Sequence, residues 1–310
     1  MAKKIPYGLT DYVLVMTDNY YYVDKTQYID LLEQTGRFLF LIRPRRLGKS
    51  LFLNMLNCYY DVKYADRFEE LFGNQYIGKH PTAEQGKYLV LRFNFSMVRA
   101  TDDKLEAAFN RHISLETAYF ASVYASYFKP DFQEQLKLIP EAAGRLEYIC
   151  LCAKEQGLSI YLLIDEYDNF TNTILSSKGN DVYHSLTHDS GFYSSFFNVV
   201  KGVTTGAEAP VKRMFITGVS PVTLDDVTSG FNIGTNITTN EQFNSMVGFS
   251  ESELHEMLSY YQSEGMLADS IDDIVRMMKP WYDNYCFAKE CIGQTMYNSD
   301  MVLYFLNNYL

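Results

Sequence analysis

The sequence predicts an α/β fold, a three-layer sandwich with a mostly parallel sheet, followed by a smaller helical region. Three observations point there. Four short apolar runs alternate with stretches of helical spacing, three of those runs end in polar clusters, and from Phe249 onward the pattern is helical only. Alternation of strand and helix argues for parallel pairing, and ligands of such sheets bind beyond the carboxyl ends of the strands.

Ahead of the first run, Asp24 is placed to cap a helix carrying Ile29, Leu31 and Leu32, with Gly36 as its stop. The first run, RFLFLI (37–42), is unbroken, as expected of a strand buried on both faces. It leads into Gly48-Lys49-Ser50, after which LFLNMLNCYY (51–60) continues with helical spacing. The second run is YLVLRFNFS (88–96), followed by helical stretches at about 102–127 and 141–156. In the third, SIYLLIDEYD (159–168), five apolar residues end at Asp165-Glu166; the fourth, RMFITGVSP (213–221), ends at the polar tip 217–220. The stretch 228–240 reads as a functional loop or a short edge strand. SESELHEMLSYY (250–261) opens with a capping box, Ser250 and Glu253, and 271–278 and 298–310 are also helical in pattern. A boundary near residue 248 divides the chain into a core, 1–248, and a helical lid, 249–310. The final run MVLYFLNNYL stops in an apolar helix with no cap, which is expected either of a chain that continues into a further domain or of a docked C-terminal helix.

The composition is that of a globular protein: 47% of residues are hydrophobic and 21% charged, enough to build a sizeable core over 310 residues. No apolar run is long enough to cross a bilayer, and MAKKIPYG does not lead into a signal-peptide core, so a cytoplasmic location is expected. The five cysteines contain no Cys-x-x-Cys pair, which argues against a disulfide framework or a zinc ribbon. A net charge of -11 sets a repulsive field for nucleic acid. Residues 34–60 are the exception: they hold Arg37, Arg43, Arg45, Arg46 and Lys49 and no acidic residue.

That basic island is a phosphate-loop pattern with arginine, Arg43, where the first glycine is expected. In such a loop the backbone N–H groups and the following helix start, here Gly48, Lys49, Ser50 and Leu51, enclose a phosphate. Lys49 bridges the terminal phosphates, and the Ser50 hydroxyl is a ligand for Mg2+. Asp165, at the end of an apolar strand, is the second expected Mg2+ ligand, and its neighbour Glu166 is placed to orient or deprotonate the attacking water. Thr217 or Ser220 would reach the γ-phosphate or the water if their strand lies between the other two. Arg45 and Arg46 offset the lost glycine by binding phosphate oxygens, or else pair with the acids of DEYD (165–168).

Together, YYVDKTQYIDLL, RPRRLGKSLFLNML, YLLIDEYDN, TGVSPVTLDDVTSGFNIGTNIT, GFSESEL and WYDNYCF...MYNSD resemble the AAA-ATPase-like family of bacterial proteins. That family is similar in turn to the archaeal ATPase and STAND branches of the P-loop NTPases. The resemblance implies ATP and Mg2+ as cofactors and a P-loop NTPase fold. It assigns phosphate roles to Gly48, Lys49 and Ser50, the magnesium role to Asp165 and the water role to Glu166. An Arg-Pro-Arg-Arg run before Gly-Lys-Ser is usual in the family. Expected partners are the nucleotide, an effector or PD-(D/E)xK nuclease-like domain of the kind that commonly follows, and other copies of the chain in a homo-oligomer. No membrane is expected, and direct nucleic-acid binding by this segment is not.

Two departures stand out. In Tyr282-Asp283-Asn284-Tyr285-Cys286-Phe287 a cysteine stands where the family usually has a basic residue, leaving Arg276 as the candidate arginine of the lid. The acid-x-lysine triplets Asp61-Val62-Lys63 and Asp102-Asp103-Lys104 do not follow a nuclease-type site. His184 and His188, four apart, have metal-ligand spacing without a third ligand. DEYD also fits a helicase box without the other helicase motifs, and Asp168 reads as a helix cap or a support for the metal ligands. The leading functional expectation is an Mg2+-dependent ATPase or ATP-driven switch. A non-hydrolysing nucleotide-binding scaffold and a nucleic-acid-processing partner of a nuclease are the alternatives.

Overall fold

The computed structural model describes residues 1–98, 104–188, 191–220 and 234–310. Each of the four apolar runs forms a strand: β1 (Phe38–Ile42), β2 (Leu89–Asn94), β3 (Ile160–Asp165) and β4 (Val211–Gly218). A two-residue edge strand, β5 (Thr235–Asn236), completes a sheet of order β2-β3-β4-β1-β5 among the described residues. All the pairings are parallel. The edge-strand reading of 228–240 therefore holds for 235–236, while 228–233 lie outside the described residues.

Burial on both faces explains why the runs are unbroken. Along β3, Ile160, Leu162 and Ile164 enter one apolar cluster and Tyr161 and Leu163 the opposite one. Phe40 and Ile42 of β1 divide from Leu39 and Leu41 in the same way, as a side-chain period of two requires. The first cluster is covered by the helices Leu105–Val123, Ala142–Glu155 and Phe192–Thr204, and the second by Lys49–Tyr60 and N-terminal segments. A third cluster joins the helices Glu251–Ser263, Ile271–Tyr282 and Ser299–Tyr309, against which Ile5, Tyr21 and Val23 also pack.

Local readings fared differently. The capping box is present, with Ser250 and Glu253 each bonded to the other's backbone N–H. Gly36 follows the helix Tyr28–Thr35, but the residue before that helix is Gln27, and Asp24 does not cap it. The Asp24 carboxylate instead accepts from the N–H groups of Thr26 and Tyr76, pinning the N-terminal segment to the short helix Tyr76–Lys79. The region after Phe249 is not purely helical, since single bridges pair Phe249 with Tyr297 and Tyr285 with Met296. Among the described residues no helix is long and apolar enough to cross a membrane.

Candidate functional site

The register brings the ends of three strands level. Leu41 lies opposite Thr217, Ile42 opposite Gly218, and Ile164 opposite Ile216, so β4 stands between the strand feeding the loop at 43–51 and the strand ending in Asp165. The condition set by the sequence for Thr217 or Ser220 to join the site is met.

β1 is prolonged by one bond, from the Arg43 N–H to the Gly218 carbonyl. The loop then turns with positive φ at Arg46 (68°) and Gly48 (90°), not at Arg43. The freedom normally supplied by the first glycine is thus needed three residues later. Gly48 is the N-cap of the helix Lys49–Tyr60 and has no side chain to offer, so the amides of Lys49, Ser50 and Leu51 open the helix without a side-chain cap. Their partial positive charge faces the loop.

Arg43 itself is 0% exposed. Its guanidinium donates to the carbonyls of Ile42 (3.0 Å), Thr238 (2.6 Å) and Phe243 (3.0 Å) and lies 4.0 Å from the Phe287 ring centroid. Burial pushes its pKa down to about 10. Arg43 is therefore a structural clamp from the loop's first position to the 238–243 turn and to the Tyr-Asp-Asn-Tyr-Cys-Phe segment, turned away from the loop interior.

Lys49 is buried, and its ammonium donates to the Arg43 (2.9 Å) and Pro44 (2.8 Å) carbonyls, spanning its own loop. Burial lowers its pKa, and the nearby charges of Asp165, Glu166 and Asp168 oppose that shift. The Ser50 hydroxyl donates to Asp165 Oδ2 at 2.7 Å, and Thr217 Oγ1 donates to Asp165 Oδ1 at 2.7 Å. One carboxylate thus joins the loop, the third strand and the fourth. Glu166 is held at φ 50° and accepts from Asn169 Nδ2. Burial, then the charge of Asp165, raises its pKa above the ordinary glutamate value.

Asp168 is fully buried and precedes the helix Asn169–Lys178, but its carboxylate does not cap it. It accepts from the N–H groups of Val219 and Ser220 and from Asn172 Nδ2. Ser220 also takes the Tyr167 hydroxyl on its carbonyl, so its backbone ties β4 to the DEYD turn, while Thr217 is the hydroxyl on Asp165. Gly218 is required here because a Cβ would run into the Tyr167 ring and the Asp168 carboxylate.

Beside the loop lies a cavity of about 300 Å³. Gly48, Lys49, Ser50 and Glu166 form its polar end; Pro6, Leu9, Tyr22 and Val23 form one wall, and Val247, Phe249, Met257 and Leu303 the other. Lys25 spans the walls, donating to Glu253 (2.6 Å) and to the Ser245 carbonyl (2.8 Å). The sequence reading missed Lys25, whose only signal was a lysine inside an aromatic segment, and also Asn298 and Ser299, discussed below. Arg46 is exposed and faces Asp300 at 3.7 Å, and Arg45 is exposed, its charge acting on Glu166 and Lys49. Neither arginine forms an ion pair with a DEYD carboxylate among the described residues.

The remaining candidates fall elsewhere. Arg276 pairs with Asp273 at the surface and does not line the cavity. The ring nitrogens of His184 and His188 approach each other at 3.2 Å, and no metal-binding group of three or more His, Cys, Asp or Glu occurs among the described residues. Asp61 accepts from the Lys63 N–H at the start of a short helical turn, and Asp102 and Asp103 lie outside the described residues.

The chain is 25% identical over 315 residues to an uncharacterized protein in the vnfD 5′ region of Azotobacter chroococcum mcd 1. The similarity covers 98% of this chain and 52% of that protein, so the chain spans about half the length of its relative. The family model described as predicted AAA-ATPase matches residues 6–228, a span that holds the glycine-lysine-serine turn, the DEYD strand and the strand between them. The chain belongs to the predicted AAA-ATPase family.

Proposed function

We propose that the chain binds ATP with Mg2+ at the loop of residues 43–51 and hydrolyses it, moving the helices of 249–310 as a lid against the 1–248 core. The observation that carries this reading is the 2.7 Å bond from Ser50 to Asp165, which joins two motifs 115 residues apart at one rim of the sheet. A hydroxyl beside a carboxylate is a hard-oxygen pair suited to Mg2+, which when bound would neutralise charge between the β- and γ-phosphates.

The residues divide the work. Amides of Gly48 to Leu51 receive the phosphates, and Lys49 leaves its own carbonyls to meet the terminal ones. Glu166, its carboxyl raised by burial and by Asp165, accepts a proton from the water as the water oxygen bonds to the γ-phosphorus and the bond to the β-bridging oxygen breaks. Thr217 holds Asp165 in place from the middle strand. The apolar part of the cavity takes the base and ribose. Lid movement then passes to an effector domain or partner.

A specific observation favours a slow or non-hydrolysing scaffold as the second reading: none of His255, Arg276, Lys279 and Lys289 in the lid lines the cavity. Phosphate release by wild type and Lys49→Ala separates the two. Release that depends on Lys49 supports the enzyme; tight binding of a non-hydrolysable analogue with release equal in both proteins leaves the scaffold.

A further inference from the structure

The helix Ser299–Tyr309 meets the phosphate loop end-on. Asn298 Nδ2 donates to the Arg45 carbonyl at 3.4 Å, Ser299 Oγ to the Arg46 carbonyl at 3.3 Å, and the Asp300 N–H to the same Arg46 carbonyl at 3.2 Å. The Asp300 carboxylate faces the Arg46 guanidinium. Asn298 is itself fixed, because its side chain caps the helix through the Met301 N–H and its own N–H donates to the Tyr282 carbonyl. These donors act on the one stretch of the loop where a non-glycine residue, Arg46, holds a positive φ of 68°.

A trans peptide unit points its C=O and N–H in opposite directions. Drawing the Arg45 and Arg46 carbonyls outward to the helix therefore turns the N–H groups of Arg46 and Leu47 the other way, toward the loop interior. Successive inward amides form an anion-binding concavity. We infer that Asn298, Ser299 and Asp300 are positioning residues for phosphate binding: from the C-terminal helix they impose the loop shape that the replaced first glycine no longer provides. The inference rests on the nucleotide reading above and adds to it which residues of the lid report to the loop, and through which peptide units.

The test uses Asn298→Asp with Ser299→Ala in the full chain. Aspartate still accepts from the Met301 N–H, so the helix cap is kept, but it has no Nδ2 to donate. With contacts of this length each worth about threefold, affinity for a non-hydrolysable ATP analogue should fall about tenfold. KM should rise with kcat nearly unchanged, as expected when ground state and transition state lose the same contact. Without nucleotide, amide hydrogen exchange in residues 43–51 should accelerate while the melting temperature holds. Ser299→Thr, which keeps the hydroxyl, should bind the analogue like wild type, whereas Ser299→Ala alone should not. Unchanged exchange and unchanged affinity in the double variant would overturn the inference. A loss of melting temperature that accounts for the weaker binding, with no loop-specific exchange, would overturn it too. Failure of the wild type to bind the analogue would instead sink the nucleotide reading, and the exchange experiment would still decide the positioning role.

Discussion

Restoring the glycine at position 43 should damage the protein. Arg43→Gly removes guanidinium bonds to the carbonyls of Thr238 and Phe243. Each carbonyl left buried without a donor costs about 1–3 kcal/mol. The lost contact over the Phe287 ring costs roughly 1–2 kcal/mol, and glycine's extra chain entropy up to about 1 kcal/mol. Opposing these is the relief of burying a cation whose Nε has no hydrogen-bond partner among the described residues and whose pKa is pushed down to about 10. That relief is roughly 3 kcal/mol. The net loss is about 3 kcal/mol, which for a chain of 310 residues lowers the melting temperature by about 5 °C. Arg43→Lys keeps the charge but not the planar fork and should fall nearer to the glycine variant than to wild type. Thermal unfolding and analogue binding, measured side by side, check both. A glycine variant that melts with wild type and binds nucleotide more tightly would show that Arg43 is a handicap to the loop and not its clamp.

Glu166→Gln should retain analogue binding within about twofold while hydrolysis falls about 10²- to 10⁴-fold, measured as phosphate release. The same residue sets a pH limit: the rate needs the ionised carboxylate, so activity should fall with decreasing pH at a value above that of an ordinary glutamate. The sign for stability is opposite. A carboxyl whose folded pKa is raised contributes stability that is full below its unfolded pKa and lost as pH rises through the folded one, so Glu166→Gln should melt no lower than wild type at pH 7. Gly218→Ala, by pushing a methyl into the Tyr167 ring and the Asp168 carboxylate, should cost about 1–3 kcal/mol in thermal or denaturant unfolding and disturb the DEYD turn; a neutral result would mean that β4 and that turn shift freely.

How much of this was legible depended on the range of the interactions. The four main strands announce themselves because burial on both faces demands continuous apolar residues. β5 is legible only as one of two readings of 228–240, because Thr235 and Asn236 are exposed and owe their strand state to pairing with Leu39 and Phe40. Asp24 is well placed for a cap in one dimension, yet its second carboxylate oxygen is claimed by Tyr76, 52 residues away. Arg43 illustrates the same limit. Within its own segment it reads only as a missing glycine, and nothing nearby in the sequence says where its guanidinium goes. Its partners Thr238, Phe243 and Phe287 all come from far along the chain, and only their convergence turns it into a buried clamp. Lys49, Ser50, Asp165 and Glu166, by contrast, were readable because strand-end position alone brings them to one rim.

The cavity walls carry a temporal consequence. The closures beside the cavity join residues 228 apart at Lys25 and Glu253 and 253 apart at Asn298 and Arg45. A chain emerging from the ribosome can assemble the sheet long before these closures exist, since domains condense as their segments are synthesised. Until translation has passed Leu303, the apolar chamber lacks part of its lining, and the turn at 43–51 has no room yet enclosed beside it.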